Sequence, residues 1–168
     1  MGSLGANPFV FDSSGRLPQV DAAFEAANKG GTIFAVKGSD SIVILTQSDT
    51  GKNSLLSGDR GFRNQKIRLL CKSITCCLSG IMADSLYFAN KLFEEVANHN
   101  YAYGSDPSVV RLSKSAANIL HERTLKNYRP LGIKAILCGW DMRSQLDIIE
   151  VDPMGNIHSC KASCIGKV

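Results

Sequence analysis

The sequence predicts an α+β domain built on two antiparallel sheets. Three observations carry that expectation. The patterns run in the order helix, strands, two helices, strands. Strand patterns follow one another as hairpins, without the long crossover that a parallel pair needs. Hydrophobic residues make up 44% of the 168, enough to bury a core and too many for a disordered chain. A chain of this length is expected to form one domain. We place it at residues 17–168, behind an N-terminal segment at 1–16.

The first helix is expected over residues 17–28. Pro18 suits its first turn, where the missing N–H costs nothing. Val20, Ala23, Phe24 and Ala27 fall on one face at helical spacing. Gly30 and Gly31 stop it. Two strand patterns follow, TIFAVKG and SIVILTQ, joined as a hairpin through Gly38, Ser39 and Asp40. Residues 48–65 read as a polar loop, and KIRLLC and SITCCLSG as two more strands. Asp84 is expected to cap a long helix to about Tyr101, with Leu86, Ala89, Leu92 or Phe93, and Val96 as its apolar stripe. Asp106 and Pro107 signal another helix to about Lys126, with Val109, Leu112, Ala116, Ile119 and Leu120 inward. Arg129 and Pro130 end it, Arg129 anchoring the loop. The last patterns are GIKAILCGW, LDIIEV and IHSCKASCI, the final two joined by the turn DPMGN. Seven strand patterns make two sheets, which want more helical cover than three helices supply.

Composition excludes several function classes. The formal net charge is +4, and the charges are scattered. No Lys/Arg run is interleaved with aromatics, so no nucleic-acid partner is expected. Apolar runs such as SITCCLSGIMA are too short and polar to span a bilayer. MGSLGANP is no signal peptide, and Ala6 stands where a myristoylation motif wants Ser or Thr. No membrane partner is expected, and the compartment is taken as cytoplasm and nucleus. Cys71, Cys76, Cys77, Cys138, Cys160 and Cys164 form no C-x-x-C pair. They read as reduced small hydrophobes, with Cys76 and Cys77 on opposite strand faces. His99, His121 and His158 match no ligand spacing, so neither a metal nor another cofactor is expected. Trp140, after a strand, reads as core or interface packing.

Five motifs, in order, cover nearly the whole chain: FDSSGRLPQVDAAFEA at 11–26, KGGTIFAVKG at 29–38, SGIMAD at 79–84, RPLGIKAILCGWD at 129–141, and DPMGNIHSCKASCIG at 152–166. Together they resemble the α-type subunits of the 20S proteasome. AANKGGTIFAVKG, LTQ, MADS and RPLG look most like the iota-type subunit of the first α-ring position. The resemblance implies a four-layer αββα sandwich of the Ntn-hydrolase kind, here without its C-terminal helices and last strands. Apolar surface on one sheet should then lie bare.

The resemblance further implies a non-catalytic place in the heptameric outer ring that gates substrate entry and docks activators in ubiquitin-dependent degradation. Partners are then other α subunits, β subunits and activators. The opening helix, with Arg16, Gln19, Val20, Asp21 and Phe24, corresponds to the family's ring-interface helix. Lys66 corresponds to a lysine that meets an activator's terminal carboxylate, for which a compact ammonium suits. Arg63 and Arg68 flank it and are the alternative cations for that role.

The alternative is an N-terminal-nucleophile threonine peptidase, like the related β-type subunits. Its nucleophile supplies a free amine as base and works beside a Lys and an Asp. By the resemblance, Gly31 falls at the nucleophile, Gln47 at the aspartate and Lys66 at the lysine. One of three positions is kept. Thr32 lies one place late and reads as a locally bonded strand residue. The gate-type segment also departs from the family. Leu4, Gly5 and Ala6 replace Tyr-Asp-Arg, Ser13 replaces a proline and Ala22 a tyrosine, while Asp21 keeps the acidic neighbour.

Overall fold

The computed structural model describes residues 11–47, 66–126, 128–140 and 146–167. Leu4, Gly5, Ala6, Arg63 and the loop at 48–65 lie outside these. The first helix, α1, is Pro18–Asn28. Strands β1 (Ile33–Lys37) and β2 (Ile42–Thr46) follow, then β3 (Ile67–Leu69) and β4 (Ile74–Gly80). Helices α2 (Met82–Tyr103) and α3 (Val109–Leu125) come next. The chain continues through β5 (Ile133–Trp140), β6 (Leu146–Val151), β7 (Ile157–Cys160) and β8 (Ala162–Ile165).

The strands form two antiparallel sheets, in the orders β2-β1-β8 and β3-β4-β5-β6-β7. Alternation divides the larger sheet between two cores. Cys76, Ala135, Leu137, Ile149 and Val151 meet Phe88, Leu92, Leu112 and Leu120 of the helix pair. Cys77, Ile136, Cys138 and Ile148 meet Ile33, Ala35 and Ile165 of the smaller sheet. Cys76 and Cys77 therefore do face opposite ways, and both are fully buried. The layers run helix pair, larger sheet, smaller sheet. This is the α+β sandwich expected.

Five expectations need correction. IHSCKASCI is not one strand. It breaks at Lys161, so that β7 pairs with β6 and β8 with β1. The Lys161 carbonyl accepts from the Lys37 amide at 2.9 Å, fixing the crossing between sheets. Asp84 is not a cap. Ile81 occupies that position, and Asp84 is turned inward within the first turn. Leu86 and Phe93 lie on the solvent side of α2, because Asp84, Ser85, Phe88, Leu92 and Val96 are the side pulled onto the sheet. Of the two readings of Trp140, core or interface, the core one fails: it ends β5 with 56% of its surface exposed. The α3 start shifts as well. Ser108 is the cap, and its hydroxyl accepts from the Arg111 amide at 3.2 Å. Gly104 ends α2 at φ +67°, a conformation that glycine adopts without strain.

The smaller sheet has a bare outer face among the described residues. Phe34 stands opposite Leu45, and Val36 opposite Val43. These four are 44–62% exposed, although each is large and apolar. Ile33 and Ala35, alternating with them, are fully buried. We expect Val43→Thr with Leu45→Thr to lower the fluorescence of a bound apolar dye and raise the chain's solubility. The unfolding free energy should change by no more than about 0.5 kcal/mol per site. A loss of several times that would mean the face is packed.

Candidate functional site

The residues that decide the chemistry meet where α1 leads into β1. A Cβ on Gly30 would overlap the Gly80 amide nitrogen and the Ser79 hydroxyl. One on Gly80 would overlap the Gly132 carbonyl, and Gly80 itself sits at φ +128°. One on Gly166 would press on the Gly31 carbonyl. Ser79 Oγ donates to that same carbonyl at 3.0 Å, and the Lys167 amide donates to the Gly30 carbonyl at 2.8 Å. Three backbones therefore touch here, and only glycine lets them.

Gly31, at the position matched to a nucleophile, has Lys66 against it. A Cβ on Gly31 would overlap Lys66 Nζ. Lys66 Nζ donates to the Gln47 carbonyl at 3.0 Å. The three positions matched to a catalytic set, Gly31, Gln47 and Lys66, are thus neighbours in space. Thr32 is not bonded locally as expected. Its hydroxyl donates to the Lys167 carbonyl, far along the chain. The Gln47 amide donates to the Thr32 carbonyl at 3.1 Å, closing the β1–β2 end.

α1 and the residues leading into it supply the second group of expected site residues. Arg16 and Asp21 are exposed, Gln19 and Phe24 half-buried. Val20 is buried with Ala23 and Ala27, so it anchors the helix within its own chain. Asp21 lies in the first turn, where its charge suits the helix dipole. A residue that the sequence reading missed organises the approach. Asp12 Oδ1 accepts from the Ser14 hydroxyl at 2.6 Å and from the Ser14 and Arg16 amides at 2.8 and 2.9 Å. These bonds, the Ser14 hydroxyl first, hold its carboxyl below the usual range. The D-x-S spacing was the available signal, as such side chains close turns on their own backbone.

An ion pair also missed secures the site from below. Arg129 Nη1 and Nη2 donate to Asp84 Oδ2 and Oδ1 at 2.8 and 2.7 Å. The Gly132 amide donates to Asp84 Oδ2 at 2.9 Å. Burial pushes the Asp84 carboxyl up, but the Arg129 and Gly132 hydrogen bonds outweigh it, and its pKa lies below the ordinary value. Arg129 does anchor the loop, as expected. The Asp84 side chain is 7% exposed and that of Arg129 56%, so water screens part of the attraction. Beside the clamp, a Cβ on Gly132 would stand 2.9 Å from Ala26 Cβ of α1, which rests on β4 and β5 here.

Arg123 lies over Tyr87 and Tyr128, its guanidinium carbon 5.1 and 5.3 Å from the two ring centres. Among the described residues no group of His, Cys, Asp and Glu is arranged to hold a metal ion. No described helix is long and apolar enough to cross a membrane.

The clamp predicts a pH dependence. A carboxylate with a lowered folded pKa stabilises above its unfolded value, about 3.9, and that stability is lost as pH falls through the folded value. We expect Asp84→Asn to cost about 2 kcal/mol in urea unfolding at pH 7. The gap from the unsubstituted chain should narrow from about pH 4 downward. A gap unchanged at pH 2 would show that charge has no part in it.

Comparison with known proteins adds the kinship. A model of the proteasome subunit family matches residues 27–168. Proteasome subunit alpha type-7 of Dictyostelium discoideum is 33% identical over 160 residues, 94% of this chain and 62% of the relative. Proteasome subunit alpha type-4-like of Drosophila melanogaster is 28% identical over 159 residues, 94% of this chain and 62% of the relative. Proteasome subunit alpha type-1 of Dictyostelium discoideum is 29% identical over 159 residues, 94% and 61%. The type numbers differ, so these relatives single out no one subtype. The chain spans about three fifths of the length of the relatives it matches.

Proposed function

The chain belongs to the proteasome subunit family, and on that footing we propose that it is a structural α-type subunit of the 20S core particle. It takes one place in a seven-membered outer ring, beside two α neighbours and above β subunits. Its work is to build the entrance through which substrates pass, and it cleaves no peptide bond itself.

The way the chain enters β1 carries this reading. A threonine peptidase of this fold needs its nucleophile at the chain's own amino end, because the free amine is the base. Here the matched position is Gly31, and α1 runs ahead of it with Val20, Ala23 and Ala27 buried. Gly31 has no hydroxyl to offer, and Thr32 turns its own toward Lys167. The relatives' names, each an alpha type, support the choice of ring.

Arg16, Asp21, Gln19 and Phe24 of the α1 region form the surface offered to a neighbouring subunit. Val20 only anchors that surface from behind. Lys66 gives an N–H to the Gln47 carbonyl, and an activator's terminal carboxylate would compete with that carbonyl for the ammonium, a pairing that suits a single point charge.

Native mass spectrometry tests the reading. Mixed with other α-type subunits, the chain should enter a ring with its amino end intact. An epoxyketone inhibitor should leave its mass unchanged. A chain beginning at Thr32 and carrying the inhibitor would overturn the reading in favour of a peptidase. Absence from every ring would overturn the structural role.

A further inference from the structure

We infer that Lys66 seals the nucleophile-matched position from inside the chain and, by the same contact, latches the rims of the two sheets together. The inference rests on this chain's own geometry, so its failure would leave the ring reading standing.

A Cβ on Gly31 would meet more than the tip of Lys66. It would overlap Nζ, stand 2.9 Å from Cε and lie 3.7 Å from Cδ. The stem therefore runs alongside Gly31, filling the space in which any side chain there would begin. The ammonium is held in place by the Gln47 carbonyl at 3.0 Å. Gln47 is exposed and Lys66 half-buried, and a hydrogen bond with an ionised donor is stronger than a neutral one.

The two ends of that contact belong to different sheets. Gln47 follows β2 and donates its amide to Thr32 beside β1, in the smaller sheet. Lys66 precedes β3, and its carbonyl accepts from the Leu78 amide of β4 at 2.8 Å, in the larger sheet. One side chain thus spans the rim and joins the two ends of the interval 48–65. Gly31 and Lys66 form a single steric unit. A side chain at 31 must push aside the flexible lysine tip, and moving the tip breaks its bond to the Gln47 carbonyl. Lys66 is a positioning residue here, and the glycine is the condition of its place.

Lysine acylation by a succinimidyl ester, read peptide by peptide by mass spectrometry, tests this on the full chain. Lys114 and Lys161 are exposed and serve as references. Lys66 should react about tenfold more slowly than either, the cost of releasing a charged hydrogen bond. The difference should vanish in urea. Gly31→Ala should bring Lys66 to within about threefold of the references, as the bond is lost. In thermal unfolding, Gly31→Ala should lower the midpoint in the unsubstituted chain and much less in a Lys66→Ala background. Equal labelling of Lys66 and Lys114 in the folded, unsubstituted chain would overturn the inference, with no variant needed. So would a Gly31→Ala shift that is the same in both backgrounds.

Discussion

No side chain fits where Gly30 and Gly31 pass between the end of β4 and the residues that follow β8. That exclusion organises much of the molecule. It brings α1, both sheets and the α2 start within van der Waals reach; at Gly30 backbone atoms impose it, and at Gly31 the Lys66 side chain does. Ser79 and Lys167 then satisfy the carbonyls that the passage strands from regular strand pairing. A buried carbonyl without a donor would cost more than any of these bonds contributes. The close approach and its polar repairs are therefore a single arrangement.

Asp84 works one layer beneath that passage. It lies at the start of α2, yet its carboxylate turns away from the helix amides toward Arg129 and the Gly132 amide. The bidentate pair fixes the segment that leads into β5, and Gly132 in turn lies against Ala26 of α1. Position 132 is thus held from one side by charge and from the other by shape. The same segment supplies the carbonyl that Gly80 crowds. The site is rigid because neighbours on three elements determine it, not because any one contact is strong.

Much of this was legible in the sequence, and the failures have physical causes. Local signals fared well. Pro18 and the glycine pair bounded α1, the DPMGN turn joined β6 to β7, and alternation put Cys76 and Cys77 on opposite faces. Signals that depend on a distant partner did not. Asp84 looks like a cap by local rules, and only Arg129, far along the chain, turns it inward. Leu86 and Phe93 look as apolar as Leu92, but the side of α2 that faces the sheet is chosen by Asp84 and Phe88. The break at Lys161 is a bend with no glycine or proline to announce it. At the site itself, a glycine in a nucleophile's place could be read from motif order. The lysine filling the gap could not, because nothing local ties residue 66 to residue 31.

The crossing at Lys161 has a mechanical meaning. Residues 157–165 are hydrogen-bonded to β6 on one side of the break and to β1 on the other. Two sheets pressed together by apolar contact alone could slide, since such contact has no direction. Here sliding would load two strand ladders lengthwise, through a single covalent segment. Shear between the layers is resisted by rows of hydrogen bonds acting together, and the sandwich behaves under load as one body.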